Sequence, residues 1–408
     1  MKTKARIIST AISAAILMTA CSSGSSSQKD ISSSDSSQGG YVDVSQTQEK
    51  LEKEAKREVS DTVEINDRRR GLLDSGYNFN GSEFMIWQTD EKKKIDLATG
   101  HISSFCDITG CAHDENTSEG CLEFQPMNSP VMTSGGYYYT LYTQSDCKKL
   151  FYKSGGEDRA VFENTYYSDL DAKLEPDHKG AFGYMFRDGV LYIMGQNWFY
   201  TVDAKTMKQM SEPVLIGDSP MWYADVSGEH FYMTNENYEL WHYDMKTHKL
   251  TKLDDKAVRL QATSDGVYYN KYLGDHKWTL YRRDLDGQSE KQLIESVGVD
   301  FFVTDKSIYC TKEDGAYIFD KASGEIKKIN LELTYETGEK YTVKDPTYLT
   351  FVSCPSSQYV YVPEYSHVTG EKCYDALFKI KKDTADYEAI SLGIWYQPEG
   401  QNGSIISY

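Results

Sequence analysis

The chain has 408 residues, with 62 acidic against 44 basic side chains and a formal charge of -18 at pH 7. An excess of that sign repels phosphate backbones, which excludes nucleic acid as an expected partner and suits a solvated surface domain or a cationic ligand. Eight cysteines and 32 tyrosines are the compositional departures that call for a structural account.

At the N-terminus, Lys2, Lys4 and Arg6 precede a weakly polar to apolar run over residues 7–18, which leads into Thr19, Ala20 and Cys21. The run is too short to span a bilayer, and a basic head with small residues before the cut reads as a removable export signal. The segment resembles the bacterial lipoprotein signal, although Met18 stands where Leu is more usual. That resemblance implies removal of residues 1–20, a diacylglyceryl group on the Cys21 thiol, and a membrane anchor facing the extracellular side, or the periplasm in a host with an outer membrane. Loss of Lys2, Lys4 and Arg6 makes the mature chain three charges more negative.

Residues 21–59 follow as a Ser-rich tether with almost nothing large enough to bury. As a flexible coil its first part reaches roughly 30 Å, enough to hold a domain clear of lipid head groups. Glu52 and Lys56 share an i,i+4 spacing that suits a short solvated helix or an extension of the stalk. Arg68, Arg69 and Arg70 mark a solvated boundary before the folded part, taken as residues 60–408.

Roughly 340 residues then remain, above the size at which single cores stop growing unless the fold is repetitive. The sequence is repetitive. A Tyr-rich alternating run, a loop, a second aromatic run and a turn recur at 84–87 with 94–100, 137–139 with 150–152, 190–193 with 198–203, 230–233 with 240–244, 266–269 with 279–287, 307–310 with 316–320, and 359–362 with 376–380. Such spacing is that of one four-stranded propeller blade, so the expected fold is an all-β propeller of seven blades. The count falls to six if the first unit is half a blade completed by a C-terminal strand from 403–408. Asp203, Asp244, Asp284 and Asp320 precede the repeated turn, and an Asp side chain there caps the turn backbone as a structural device.

The stretch Leu280-Tyr281-Arg282-Arg283-Asp284-Leu285-Asp286-Gly287, followed by Leu293, resembles the repeat of TolB-type propellers. With the lipoprotein start, the chain from about Gly71 onward resembles Tyr-rich propeller lipoproteins of Gram-positive anaerobes. That resemblance implies a fold and a location, and supplies no catalytic residues. Lys153 and Lys379 depart from the Asp of the other units.

Cys106, Cys111, His113 and Cys121 form the one constellation with metal-ligand character, inside an insertion at 101–125. Three thiolates and an imidazole match tetrahedral Zn, and four protein ligands would make the site closed and structural. In an exported chain the same cysteines can instead form disulfides or stay free. Cys354 and Cys373 flank the first strand of the seventh unit and could staple its hairpin, while Cys147 and Cys310 are core residues or a pair.

No nucleophile elbow, Walker loop, zinc-protease helix or dinucleotide fingerprint occurs. The expected function is therefore binding of a surface glycan or protein, without catalysis. The alternative is a glycan-active hydrolase or lyase with carboxylates converging in the propeller mouth. Trp87, Trp198, Trp222, Trp241, Trp278 and Trp395 are candidates for stacking on a ligand as well as ordinary strand packing.

Overall fold

The computed structural model describes residues 77–79, 83–87, 92–99, 101–104, 131–133, 136–140, 150–154, 157–162, 183–187, 189–195, 197–203, 206–274, 278–335, 338, 340–343, 349–353, 357–365 and 372–396. Among these residues there is no helix, and every named strand pairing is antiparallel.

Strands follow one another as meanders. Blade 1 is Tyr77–Phe79, Glu83–Trp87, Lys92–Asp96 and Ile102–Ser104; blade 2 is Val131–Thr133, Gly136–Thr140, Leu150–Ser154 and Glu157–Phe162. Blade 3 comprises Gly183–Arg187, Val190–Met194 and Trp198–Asp203, with its outer strand split into Lys208–Gln209 and Val214–Leu215. Blade 4 is Met221–Ser227, His230–Asn235, Leu240–Asp244 and Lys249–Asp254. Blade 5 is Ala257–Thr263, Gly266–Tyr272, Trp278–Arg283 and Glu290–Val297. Blade 6 is Phe301–Val303, Ser307–Lys312, Gly315–Asp320 and Ile326–Ile329. Blade 7 is Tyr359–Tyr365, Lys372–Lys381 and Tyr387–Tyr396, its inner edge completed where Val352 and Tyr361 exchange backbone hydrogen bonds of 2.9 and 2.7 Å.

The molecule is a seven-bladed β-propeller. Blade 1 supplies four strands from its own segment, so the first repeat is a whole blade; residues 403–408 lie outside the described residues. A two-stranded hairpin, Glu332–Thr334 with Lys340–Thr342, is inserted between blades 6 and 7 and was not anticipated. Leu331, Leu333, Tyr335 and Tyr341 bury it in the core shared by those blades, and the Tyr387 hydroxyl accepts from Glu332 N–H at 2.9 Å.

Burial divides the strands of a blade. The inner strand of blade 5 is buried at every position, whereas the outer strand of blade 4 has no fully buried residue. Between blades the filling is aromatic: Phe199 of blade 3 stacks on Phe231 of blade 4 at 3.9 Å, with Tyr192 and Tyr243 closing around them. Each such ring removes enough apolar area from water to stabilise the contact by about 2 kcal/mol.

The abundance of tyrosine has a register behind it. In each hairpin between the first and second strands, one position of the second strand holds Tyr138, Tyr192, Tyr232, Tyr268, Tyr309 and Tyr361 in blades 2 to 7, opposite Val131, Met185, Asp225, Gln261, Phe302 and Val352. Where the side chain is described, the ring is buried, and several hydroxyls reach the next blade. Tyr192 reaches Met245 Sδ, and Tyr232 donates to the Leu285 carbonyl. Tyr268 donates to Asp265, which pairs with Lys321 of blade 6; Tyr309 accepts from Asp383 N–H at 2.8 Å in blade 7. Tyrosine fits because its apolar body fills the seam while its hydroxyl serves an otherwise orphaned turn group. Tyr309→Phe is expected to cost about 1 kcal/mol, read as a lower urea midpoint at unchanged slope.

Candidate functional site

Several expected site residues lie outside the described residues: Cys21, Cys106, Cys111, His113, Cys121, Cys147 and Cys354. Cys373 sits in the third strand of blade 7, opposite Trp395. Cys310 is a free thiol fully buried in the core between blades 5 and 6, and burial pushes its ionisation up to about 12, which makes it inert. Among the described residues, no group of three or more His, Cys, Asp or Glu side chains could hold a metal ion.

The repeated aspartates are not all alike. Asp203 Oδ1 accepts from Thr206 N–H at 2.6 Å, Asp244 Oδ1 from Thr247 N–H at 3.0 Å, and Asp320 Oδ1 from Ser323 N–H at 2.7 Å. Asp96 does the same for Thr99 at 2.7 Å, a cap the sequence reading did not single out. Backbone and hydroxyl donors in the turn hold the Asp244 and Asp320 carboxyls below their ordinary range. Asp284 is a correction: its carboxylate lies 3.3 Å from Arg282 Nη1. The blade 5 ladder ends at Arg283 opposite Val267, so Asp284 falls one residue beyond it. There the turn is closed by Gly287 N–H on the Asp284 carbonyl, with Gly287 at φ 77° and Asp286 Oδ1 taking Gln288 N–H.

Charged residues also lie in the inner strands, which sequence reasoning missed. Asp225 of blade 4 takes Arg187 Nη2 of blade 3 at 2.7 Å and, through its other oxygen, Ala262 N–H of blade 5 at 2.8 Å. Asp300, just ahead of blade 6, lies 3.1 Å from Arg259 of blade 5 and accepts Phe351 N–H at 2.9 Å. Gln261 makes the neutral version, exchanging two hydrogen bonds with the Val303 backbone. Each of these acids ties three neighbouring blades together through the donors it accepts from.

A cluster of large aromatic side chains lies on the face where the inner strands of blades 4 and 5 begin and their second and third strands are joined. Trp222, Tyr238, Tyr272 and Trp278 form a continuous aromatic strip there. Trp222 meets Tyr238 edge to face at 5.4 Å, Tyr238 lies nearly parallel to Tyr272 at 6.5 Å, and Tyr272 meets Trp278 at 5.7 Å. Tyr238 and Tyr272 stay 40% and 38% exposed beside Leu273 at 55%, so the strip is open to solvent. Trp198, by contrast, is fully buried on Tyr200, and Trp241 is half-buried with its indole N–H on Glu239; the side chains of Trp87 and Trp395 are outside the described set.

Tyr238 has φ 64°, a left-handed conformation that a bulky residue adopts only when its surroundings dictate it. The dictating group is Asn235, fully buried, whose Oδ1 accepts from both Asn237 N–H (3.1 Å) and Glu239 N–H (3.0 Å) while its Nδ2 donates to Glu239 (2.8 Å). Burial pushes the Glu239 carboxyl up, but Lys252, Asn235 and Trp241 as donors outweigh it and hold the group below its ordinary range. The loop is thus locked before any ligand arrives, and it presents an aromatic ring in a strained backbone conformation. Trp222 and Trp278 were legible as candidates, while Tyr238 sits in a polar stretch, Asn235 to Glu239, that reads as an ordinary turn.

No protein-family model matches the chain, and no curated protein matches it. Solved structures similar to it include the computationally designed Ika8 protein (10% identity, TM-score 0.45, covering 81% of this chain and 89% of that one). An oligogalacturonate lyase in complex with manganese is similar at 10% identity and TM-score 0.44, over 73% of this chain and 87% of the other. BamB from Moraxella catarrhalis is similar at 12% identity and TM-score 0.40, over 81% and 84%. At such identities and scores the likenesses carry no residue and no activity to this chain.

Proposed function

We propose that the protein is an exported, Cys21-anchored propeller that holds a binding face clear of the membrane and captures a surface ligand, a glycan or a protein, without chemistry on it. The observation that carries this reading is the exposed aromatic strip with Tyr238 held at φ 64° by a saturated hydrogen-bond net. Met207, His248 and Asp383 take similar positive φ values at other turns, and what sets Tyr238 apart is that its conformation places a large ring, packed on Trp222 and Tyr272, at the solvent-facing edge of the strip, where a preorganised ring serves binding. The export signal supports the location, and no helix among the described residues is long and apolar enough to cross a membrane. The cysteine and histidine insertion belongs to the scaffold in this reading, either as a closed zinc site or as disulfides.

Tyr238→Gly separates binding from stability. Glycine accepts a positive φ without strain, so unfolding free energy is expected to stay level or rise by up to about 1 kcal/mol, while ligand binding is lost. The check is denaturant unfolding of both proteins alongside a binding survey of the purified full-length chain against glycans and surface proteins. Intact binding by the glycine variant would remove the strip from the site.

A further inference from the structure

Resting on that reading, we infer that the ligand class is an uncharged or amine-bearing oligosaccharide laid along Trp222, Tyr238, Tyr272 and Trp278. Three observations bear on the choice. First, the ring-to-ring steps of 5.4, 6.5 and 5.7 Å are comparable to the length of one pyranose unit; Tyr238 and Tyr272 lie nearly parallel, while Trp222 stands edge-on to Tyr238 and Trp278 is tilted 44° from Tyr272, so the rings border a sugar chain from different sides and do not form one flat platform. The apolar C–H faces of a sugar stack on such rings without any need for a deep pocket.

Second, the local charge is negative and its lysines are spent. Asp218, Glu236 and Asp255 are exposed on the loops beside the strip. Lys252 is bound to Glu239 at 2.6 Å and to Asp255 at 2.5 Å, and Lys271 to Asp254 at 2.6 Å and Glu290 at 2.9 Å. Among the described residues of these loops Lys256 is the remaining cation. With Asp255 neutralised by Lys252, a uronate or phosphate polymer would still meet the carboxylates of Asp218 and Glu236, which pair with no described lysine, whereas an amino sugar gains both from those two acids and from the faces of the rings.

Third, the apolar exposure is confined. Among the described residues, the exposed large hydrophobic residues other than Tyr238, Tyr272 and Leu273 are Met210, Leu215, Leu250 and Ile326, which lie on or beside the outer strands of blades 3, 4 and 6. A stable protein interface needs about 800 Å² per partner around an apolar centre, and a strip one ring wide is better matched to a linear chain of sugars.

The test titrates the purified full-length protein with cello-, manno- and chito-oligosaccharides, chitosan oligosaccharide and oligogalacturonate, followed by calorimetry and tryptophan emission. Binding of at least one neutral or amine-bearing probe is expected, with changed tryptophan emission, about tenfold weakening by Tyr272→Ala, and no binding of oligogalacturonate at the same concentration. Three results overturn the inference: oligogalacturonate binding as tightly as the other probes, affinity indifferent to Tyr272→Ala, or no neutral or amine-bearing probe binding. If instead a purified surface protein binds in a Tyr272-dependent way, the binding face stands and the glycan assignment falls. If neither class binds, both fall.

Discussion

Asp300→Ala is expected to destabilise the propeller by about 3–5 kcal/mol, a large part of the stability of any domain. The carboxylate is 1% exposed and faces the Arg259 guanidinium, itself 8% exposed, at 3.1 Å. It also satisfies Phe301 N–H at 2.7 Å and Phe351 N–H at 2.9 Å, so one side chain serves blades 5, 6 and 7. Removing it leaves a buried positive charge without this counter-charge and two buried N–H groups without their acceptor, and the cost of both dominates any relief of desolvation. Asp300→Asn keeps an acceptor in place but loses the charge, and should cost less than the alanine variant. Guanidinium unfolding monitored by tyrosine and tryptophan fluorescence measures both. A loss under about 1 kcal/mol for alanine would mean that the seams are held by their aromatic packing alone.

Mild acid should weaken the fold before most carboxylates titrate. His242 is buried, stacks on Tyr232 at 4.8 Å and shares a 2.9 Å hydrogen bond with His230 Nδ1. Burial and the neighbouring His230, helped by Lys249, lower its pKa to about 4 against the opposing pull of Asp244 and Asp286. Because the folded value lies below the unfolded one near 6.5, the unfolded chain binds more protons between them. Stability is therefore fully present above about pH 6.5 and is lost progressively as pH falls towards 4, by up to about 3 kcal/mol. His242→Phe should flatten the dependence between pH 6.5 and 5, where Asp and Glu are still ionised. Melting curves of both proteins across that range are the measurement; parallel slopes would place the proton uptake elsewhere.

Legibility followed burial. The seven sequence repeats correspond to the second and third strands of each blade, because those strands carry the alternating Tyr, Trp and Phe that a half-buried pleat demands. Inner strands escaped notice: Ala257–Thr263 is buried throughout and so shows no alternation, and Phe301–Val303 is three residues long. Outer strands such as Lys249–Asp254 are mostly polar and read as loop. An isolated Asp300 beside Phe301, Phe302 and Val303 was the available signal for the buried ion pair, since a charge in an apolar run must find a partner.

By itself the sequence determined the all-β class and the repetitive propeller pattern, with seven or six blades left open, because strand alternation and turn chemistry are local and short-ranged. Tertiary structure alone decided which tyrosines bridge blades, which acids are locked between them, and that Trp222, Tyr238, Tyr272 and Trp278 meet on one face. Those residues are up to 56 positions apart in the chain, and only the ring of blades, through contacts with no trace in local pattern, brings them within reach of a single ligand.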